Sequence, residues 1–112
     1  MEEGEAPVSV NSINKRLPEI FKLSQNYPNP FNPITTISYQ IPENSPVTLK
    51  IYNLAGREIA TLINENQSVG IYTVEWNAEG LPSGMYIYQL KAGSFSQTRK
   101  LIQQKYHAWK GK

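Results

Sequence analysis

The sequence predicts an all-β protein, an antiparallel sandwich of about seven strands. From residue 21 onward, short stretches with apolar residues at every second position recur at intervals of roughly ten residues, as in sandwich domains. Clusters of Gly, Pro and Asn separate these stretches, and no stretch follows a helical period. The length of 112 residues fits one domain with one core.

Three strands are predicted in the first half of the chain. A short one lies near residues 21–23, and residues 26–33 follow with three prolines, which cannot form a central strand because proline lacks the backbone N–H donor. Residues 35–41 and 47–52 then alternate apolar and polar residues, as strands with one solvated face do. Their predicted inward residues are Ile37, Tyr39, Ile41, Val47, Leu49 and Ile51.

Four strands are predicted in the second half. Residues 53–56 form a turn in which Gly56 supplies the positive φ of a tight hairpin, so residues 57–63 return as the partner strand. The remaining strands cover residues 71–76, 85–91 and 95 to about 104, separated by turns at residues 81–84 and 92–94.

The composition argues against several classes of function. Eleven basic and nine acidic residues give a net charge of +2, too balanced for a nucleic-acid binder. The chain contains neither aspartate nor cysteine, which disfavours calcium loops and zinc thiolate sites. No apolar run approaches the roughly 20 residues of a membrane span, and the first 20 residues lack the pattern of a signal peptide. We therefore expect no metal, cofactor, nucleic acid or membrane span.

No catalytic constellation is predicted. The single histidine, His107, lies beyond the last strand, and a Ser-His-Asp triad has no aspartate. Glu75 and Glu79 form the nearest pair of carboxylates, but an outward strand position and a turn indicate solvated side chains rather than a glycosidase pair.

Other binding motifs have simpler structural explanations. Trp76, Tyr86 and Tyr88 would suit sugar stacking, yet they fall on strands that cross the core, and outward Tyr52 is the better ligand candidate. The spacing of Pro30 and Pro33 matches P-x-x-P, although a rigid connector explains it more simply. Residues 66–68 match a glycosylation acceptor, a pattern that is common by chance.

Three segments in fixed order resemble a known family. They are residues 26–33 (NYPNPFNP) with the following TTI strand, residues 53–58 (NLAGRE) and residues 81–86 (LPSGMY). Together they resemble the type A C-terminal sorting domain of the type IX (Por) secretion system, which is also similar to the Ig-like domain of flagellar hook-capping proteins. The resemblance covers about residues 23 to 105.

The resemblance implies an Ig-like sandwich over residues 20–105 that sorts an exported passenger and is not an enzyme. The passenger would cross the inner membrane by an ordinary signal peptide, and the outer-membrane type IX translocon would then recognise the folded domain. A sortase-like peptidase would remove it by cleavage in the arm before Phe21. The expected location is extracellular or at the cell surface.

The resemblance also implies roles for individual residues. Pro28, Pro30 and Pro33 would stiffen a crossing between the sheets, and Tyr27 and Phe31 would pin it to the core. The other motif residues are Gly56, Arg57, Gly84 and Tyr86, with both glycines at turns that a Cβ would strain. Translocon recognition would fall on the last strand, at Arg99, Lys100, Leu101, Ile102 and Lys105.

The ends of the chain leave an alternative open. Residues 1–19 are predicted to be a linker or arm, and residues 106–112 extend beyond the usual end of such domains. Val8, Ser9 and Val10 alternate and would add a strand to a neighbouring sandwich, which would make the protein a structural surface or filament subunit that self-associates. A weaker alternative is a carbohydrate-binding accessory module.

Overall fold

Seven strands make up the computed structural model, which describes residues 17–104. They are β1 (Lys22–Leu23), β2 (Ile34–Ile41), β3 (Ser45–Tyr52), β4 (Glu58–Gln67), β5 (Gly70–Asn77), β6 (Gly84–Ala92) and β7 (Phe95–Gln103). All seven predicted strands are confirmed, with ends that differ by no more than four residues. The arm at Val8 to Val10, Lys105, His107 and the extension 106–112 lie outside the described residues.

The strands form two antiparallel sheets. One sheet has the order β1-β2-β5, and the other has the order β4-β3-β6-β7. The chain changes sheet between β2 and β3, between β4 and β5, and between β5 and β6. This arrangement confirms the predicted seven-stranded sandwich. Among residues 17–104 there is no helix long and apolar enough to cross a membrane.

The core lies between the sheets and follows the predicted alternation. The buried apolar residues are Leu23, Phe31, Ile37, Tyr39, Ile41, Val47, Leu49, Ile51, Trp76, Ala78, Tyr86, Tyr88, Leu90, Ala92 and Leu101. All six residues predicted to face inward on β2 and β3 belong to this set. Trp76, Tyr86 and Tyr88 also belong to it, so their expected core packing is confirmed and no sugar-stacking platform exists at these positions.

The hairpin between β3 and β4 forms as predicted. Gly56 has a φ of 85°, in the left-handed region that a side chain disfavours. The side-chain oxygen of Asn53 accepts hydrogen bonds from the backbone N–H groups of Ala55 (3.0 Å) and Arg57 (2.9 Å). This asparagine therefore satisfies two backbone donors of the turn from within the turn itself.

A second local hydrogen bond fixes the start of β6. The hydroxyl of Tyr86 donates to the carbonyl oxygen of Pro82 at 2.6 Å, four residues upstream. A tyrosine that bonds back to its own approach loop at this corner is a recurrent feature of Ig-like sandwiches. Gly84 lies between the two residues with a φ of 140°. The LPSGMY segment is therefore a corner that anchors β6 in the core.

Candidate recognition surface

The proline-rich segment, residues 24–33, joins the edges of the two sheets. Near its start, the backbone of Tyr27 exchanges two hydrogen bonds with Thr36 of β2, each 2.9 Å long. Four residues later, the N–H of Phe31 donates to the carbonyl oxygen of Ile102 at 3.0 Å, and its carbonyl oxygen accepts from the N–H of Gln104 at 2.9 Å. The segment thus pairs with β2 at one end and runs parallel to the end of β7 at the other. We call it the crossing segment.

A buried polar network holds the crossing segment. The side chain of Asn26 is only 2% exposed. Its amide nitrogen donates to the hydroxyl oxygen of Thr35 (2.9 Å) and to the carbonyl oxygen of Pro28 (3.1 Å), and its amide oxygen accepts from the side chain of Gln25 (2.6 Å). The Thr35 hydroxyl donates to the same Pro28 carbonyl at 2.9 Å. A buried amide is tolerated because its polar atoms have partners.

The prolines of the crossing segment differ in exposure. Pro28 and Pro30 are exposed, whereas Pro33 is half-buried. The peptide bonds that precede all three are cis. Phe31, between them, is 2% exposed and packs against Trp76 with ring centroids 5.7 Å apart. The core contact expected of Phe31 is present.

The expectation that Tyr27 packs into the core is wrong, since its side chain is 81% exposed. The cause is a shift of one residue in the pairing with β2. Leu23 pairs with the inward residue Tyr39, a register that would pair Tyr27 with Thr35. Tyr27 pairs with Thr36 instead, so this edge strand contains one extra residue. One extra residue in an edge strand reverses the faces of the residues after it, so Asn26 turns inward and Tyr27 outward.

The crossing segment also caps the outer edge of β7. The side-chain amide of Gln25 donates to the carbonyl oxygen of Lys100 at 2.8 Å. The N–H of Ile102 donates to the side-chain oxygen of Asn29 at 3.0 Å. Since edge groups at Lys100 and Ile102 already have partners, this part of β7 is closed to strand addition.

The five residues predicted for recognition do not form one continuous surface. Leu101 is fully buried, and the half-buried Arg99 donates from Nε to the carbonyl oxygen of Leu23 at 2.6 Å. Lys100 and Ile102 point outward because successive strand residues face opposite sides of a sheet. Lys105 lies outside the described residues. Of the predicted run, the described surface therefore offers only Lys100 and Ile102.

Lys100 and Ile102 belong to an apolar corner with a basic border on the outer face of the four-stranded sheet. Ile102 pairs with Met85 of β6, and the two are 38% and 37% exposed. Lys100 pairs with Ile87, which in turn pairs with Tyr52 of β3. We call the set of Tyr52, Met85, Ile87, Lys100 and Ile102 the β7 corner.

Charges elsewhere on this face are partly compensated. The Lys50 ammonium lies 3.2 Å from the carboxylate of Glu58. Hydrogen bonds from Thr61 and Lys50 lower the pKa of Glu58 below its usual value. Lys100 forms no ion pair within residues 17–104. The β7 corner is therefore bordered by positive charge.

Catalytic and metal chemistry find no support in the described part of the chain. Glu75 and Glu79 are both exposed, as the sequence predicts. Within residues 17–104, no group of three or more His, Cys, Asp or Glu residues could hold a metal ion.

The domain is a small β-sandwich in which hydrogen bonds join the crossing segment to the last strand. The sequence model of the family described as the secretion system C-terminal sorting domain matches residues 25–104. The chain belongs to this family, whose domains are non-catalytic. A comparison with curated proteins finds no match.

Membership in the sorting-domain family defines what the domain does. It is a sorting domain of a secretion system, which implies export to the cell surface or beyond and interaction with the secretion machinery. The matched region begins at Gln25, at the bulge that turns Tyr27 outward, and ends at Gln104, whose N–H bonds Phe31. One end of the matched region therefore lies in the crossing segment, and the other end is hydrogen-bonded to it.

Proposed function

We propose that this domain is a type A sorting signal that directs an exported passenger through the type IX translocon to the cell surface. The observation that carries the proposal is the β7 corner, where Lys100 and Ile102 stand exposed on a strand whose outer edge is already hydrogen-bonded. The three motif segments support the assignment to type A and to a fold similar to the hook-capping Ig-like domain.

The translocon reads side chains of the folded strand rather than its backbone edge. At Lys100 and Ile102 the crossing segment occupies edge groups that an added strand would need. The side chains of the β7 corner remain free to enter a complementary surface. A partner that fits them has an apolar pocket for Ile102 and Met85 and carboxylates near Lys100, because desolvated apolar anchors with complementary charges at the border make specific interfaces.

Removal of the domain from its passenger forms the second part of the proposal. A sortase-like peptidase cuts in the arm before Phe21, where the chain enters the sandwich. The support is that Leu17 and Ile20, the first large apolar residues described, are 57% and 61% exposed. A protease needs an accessible stretch of chain next to a folded domain.

Changing the β7 corner is expected to stop surface delivery of a fused passenger. Ile102→Asp and Lys100→Glu each place a carboxylate where the partner offers an apolar pocket or its own carboxylates. We expect each change to lower surface delivery about 10-fold or more, the effect of losing one interface anchor. The measurement is the surface-exposed fraction of a reporter fused ahead of the full chain.

The matched control is Lys91→Glu, which makes the same charge reversal on the same face but outside the β7 corner. It should be delivered like the unaltered chain, and all variants should keep the urea midpoint of the parent. Normal delivery of both corner variants, or an equal loss with Lys91→Glu, would contradict recognition at this corner.

A further inference from the structure

Tyr27 is an exposed aromatic side chain on a hydrogen-bonded backbone. It is the most exposed large apolar residue within residues 17–104, at 81%. Its backbone N–H and C=O are both bonded to Thr36. An exposed ring on a fixed backbone has only two side-chain torsions to immobilise, so it loses little entropy when a partner buries it.

The local structure reverses the usual preference for burial. The bulge places the polar Asn26 in the interior and the aromatic Tyr27 in solvent, although burying the ring and exposing the amide would remove more apolar area from water. Gln25, Thr35 and the carbonyl of Pro28 are all engaged in satisfying the buried amide. The network that holds the crossing segment therefore also presents the ring of Tyr27 to solvent, where a partner can bury it.

The crossing segment fixes Tyr27 relative to the β7 corner. Gln25 and Asn29 lie two residues on either side of Tyr27. Their side chains bond to the backbone of Lys100 and Ile102, respectively. Tyr27 and the β7 corner are therefore held in a fixed geometry on the two sides of the edge that the crossing segment closes.

We propose that Tyr27 is a second anchor for the same secretion-machinery protein that contacts the β7 corner. The inference rests on the proposed function and adds to it a specific partner site, an apolar pocket that accepts a tyrosine ring. Charge supports one partner for both anchors. Exposed Lys22 lies on β1, beside the crossing segment, and Lys100 belongs to the β7 corner. A partner that reaches around this edge with carboxylates beside two apolar pockets therefore complements both anchors.

The test compares Tyr27→Ala, Tyr27→Phe and Ile71→Ala in the full chain fused to a secreted reporter. Ile71 is the matched control, because it is 68% exposed and lies on β5, the opposite edge strand of the same sheet. We expect Tyr27→Ala to lower surface delivery about 10-fold, Tyr27→Phe to keep most of it because the ring remains, and Ile71→Ala to leave it unchanged.

A cross-linking measurement identifies the partner directly. A photoreactive amino acid replaces Tyr27 in one chain and Ile102 in another, and both are expected to capture the same protein of the secretion machinery. Capture of a second copy of this chain at Tyr27, or of a different protein from that captured at Ile102, would overturn the inference.

Failure of this inference differs from failure of the proposed function. If Tyr27→Ala is delivered normally while Lys100→Glu is not, the β7 corner stands and Tyr27 is no anchor. If Tyr27→Ala lowers the urea midpoint as well as delivery, its role is structural and the inference is overturned. If the unaltered chain is delivered without the translocon, the proposed function fails and the inference fails with it.

Discussion

Replacing Trp76 with alanine is expected to lower the free energy of unfolding by about 3–5 kcal/mol, the cost of truncating a buried tryptophan. Trp76 is 5% exposed, and its ring lies 5.7 Å from Phe31 of the crossing segment and 5.7 Å from Tyr86 of β6. It therefore joins three elements of the fold. Since domains of this size are stable by about 5–15 kcal/mol, urea titration at neutral pH should find the variant close to unfolding.

The control for this change lies on the same strand. Ile71 is 68% exposed on β5, and Ile71→Ala should alter the free energy of unfolding by no more than about 0.5 kcal/mol. Trp76→Phe keeps an aromatic ring and should fall between the two. A loss below about 1 kcal/mol for Trp76→Ala would show that the aromatic cluster does not hold the sheets together.

Alkaline pH is expected to unfold the domain through two buried tyrosines. Burial raises the pKa of Tyr39 and of Tyr88 to about 12 from the ordinary value of 10.0. The Tyr88 hydroxyl donates to the carbonyl oxygen of Ser24 at 2.7 Å, and the Tyr39 hydroxyl donates to the side chain of Gln67. Both phenols are held in the protonated form that the interior favours.

The direction of the effect follows from proton linkage. Above pH 10 the unfolded chain releases these protons while the folded chain keeps them, so the stability that is complete below pH 10 is lost as the pH rises towards about 12. Each tyrosine contributes a slope of about 1.4 kcal/mol per pH unit within that window. Urea titrations across the window, with phenolate absorbance recorded in parallel, measure it.

The double variant Tyr39→Phe with Tyr88→Phe separates this effect from general alkaline damage. Its unfolding free energy should fall less steeply above pH 10, because two of the ionisable phenols are absent. Equal slopes for the variant and the parent would mean that these two side chains ionise alike in the folded and unfolded chains.

Strand positions and core residues could be predicted because a period of two reports directly which side chains face inward. Ile37, Tyr39 and Ile41 on β2 are buried for that reason. Glycine gave equally direct information at Gly56, where the hairpin requires a left-handed φ. Local chemistry of this kind needs no knowledge of distant contacts.

The orientation of Tyr27 could not be predicted, because it depends on one extra residue in the pairing of an edge strand. A bulge leaves the composition unchanged, but it reverses the face of the sheet to which each later side chain of the strand points. The sequence does not predict the network of Asn26 and Thr35 for a related reason, since polar residues beside prolines usually indicate a solvated turn. Their burial requires a segment that crosses between sheets.

Strand β4 and residues 99–102 show two further limits of prediction from sequence. Strand β4 continues to Gln67 through polar residues that alone indicate a loop, but pairing with β3 as far as Ser45 keeps them in the sheet. The basic and apolar run at residues 99–102 looked continuous in sequence. Its alternation in the strand divides it into a buried half and an exposed half.

Sorting by this domain is tested most directly with the full chain fused behind a fluorescent passenger that carries a signal peptide. The fusion is expressed in a bacterium with a working type IX system and in its translocon mutant. We predict that the passenger reaches the surface of the first strain and stays in the periplasm of the second. Retention in both strains, or surface delivery in both, would contradict the claim that this sandwich is the sorting signal the translocon recognises.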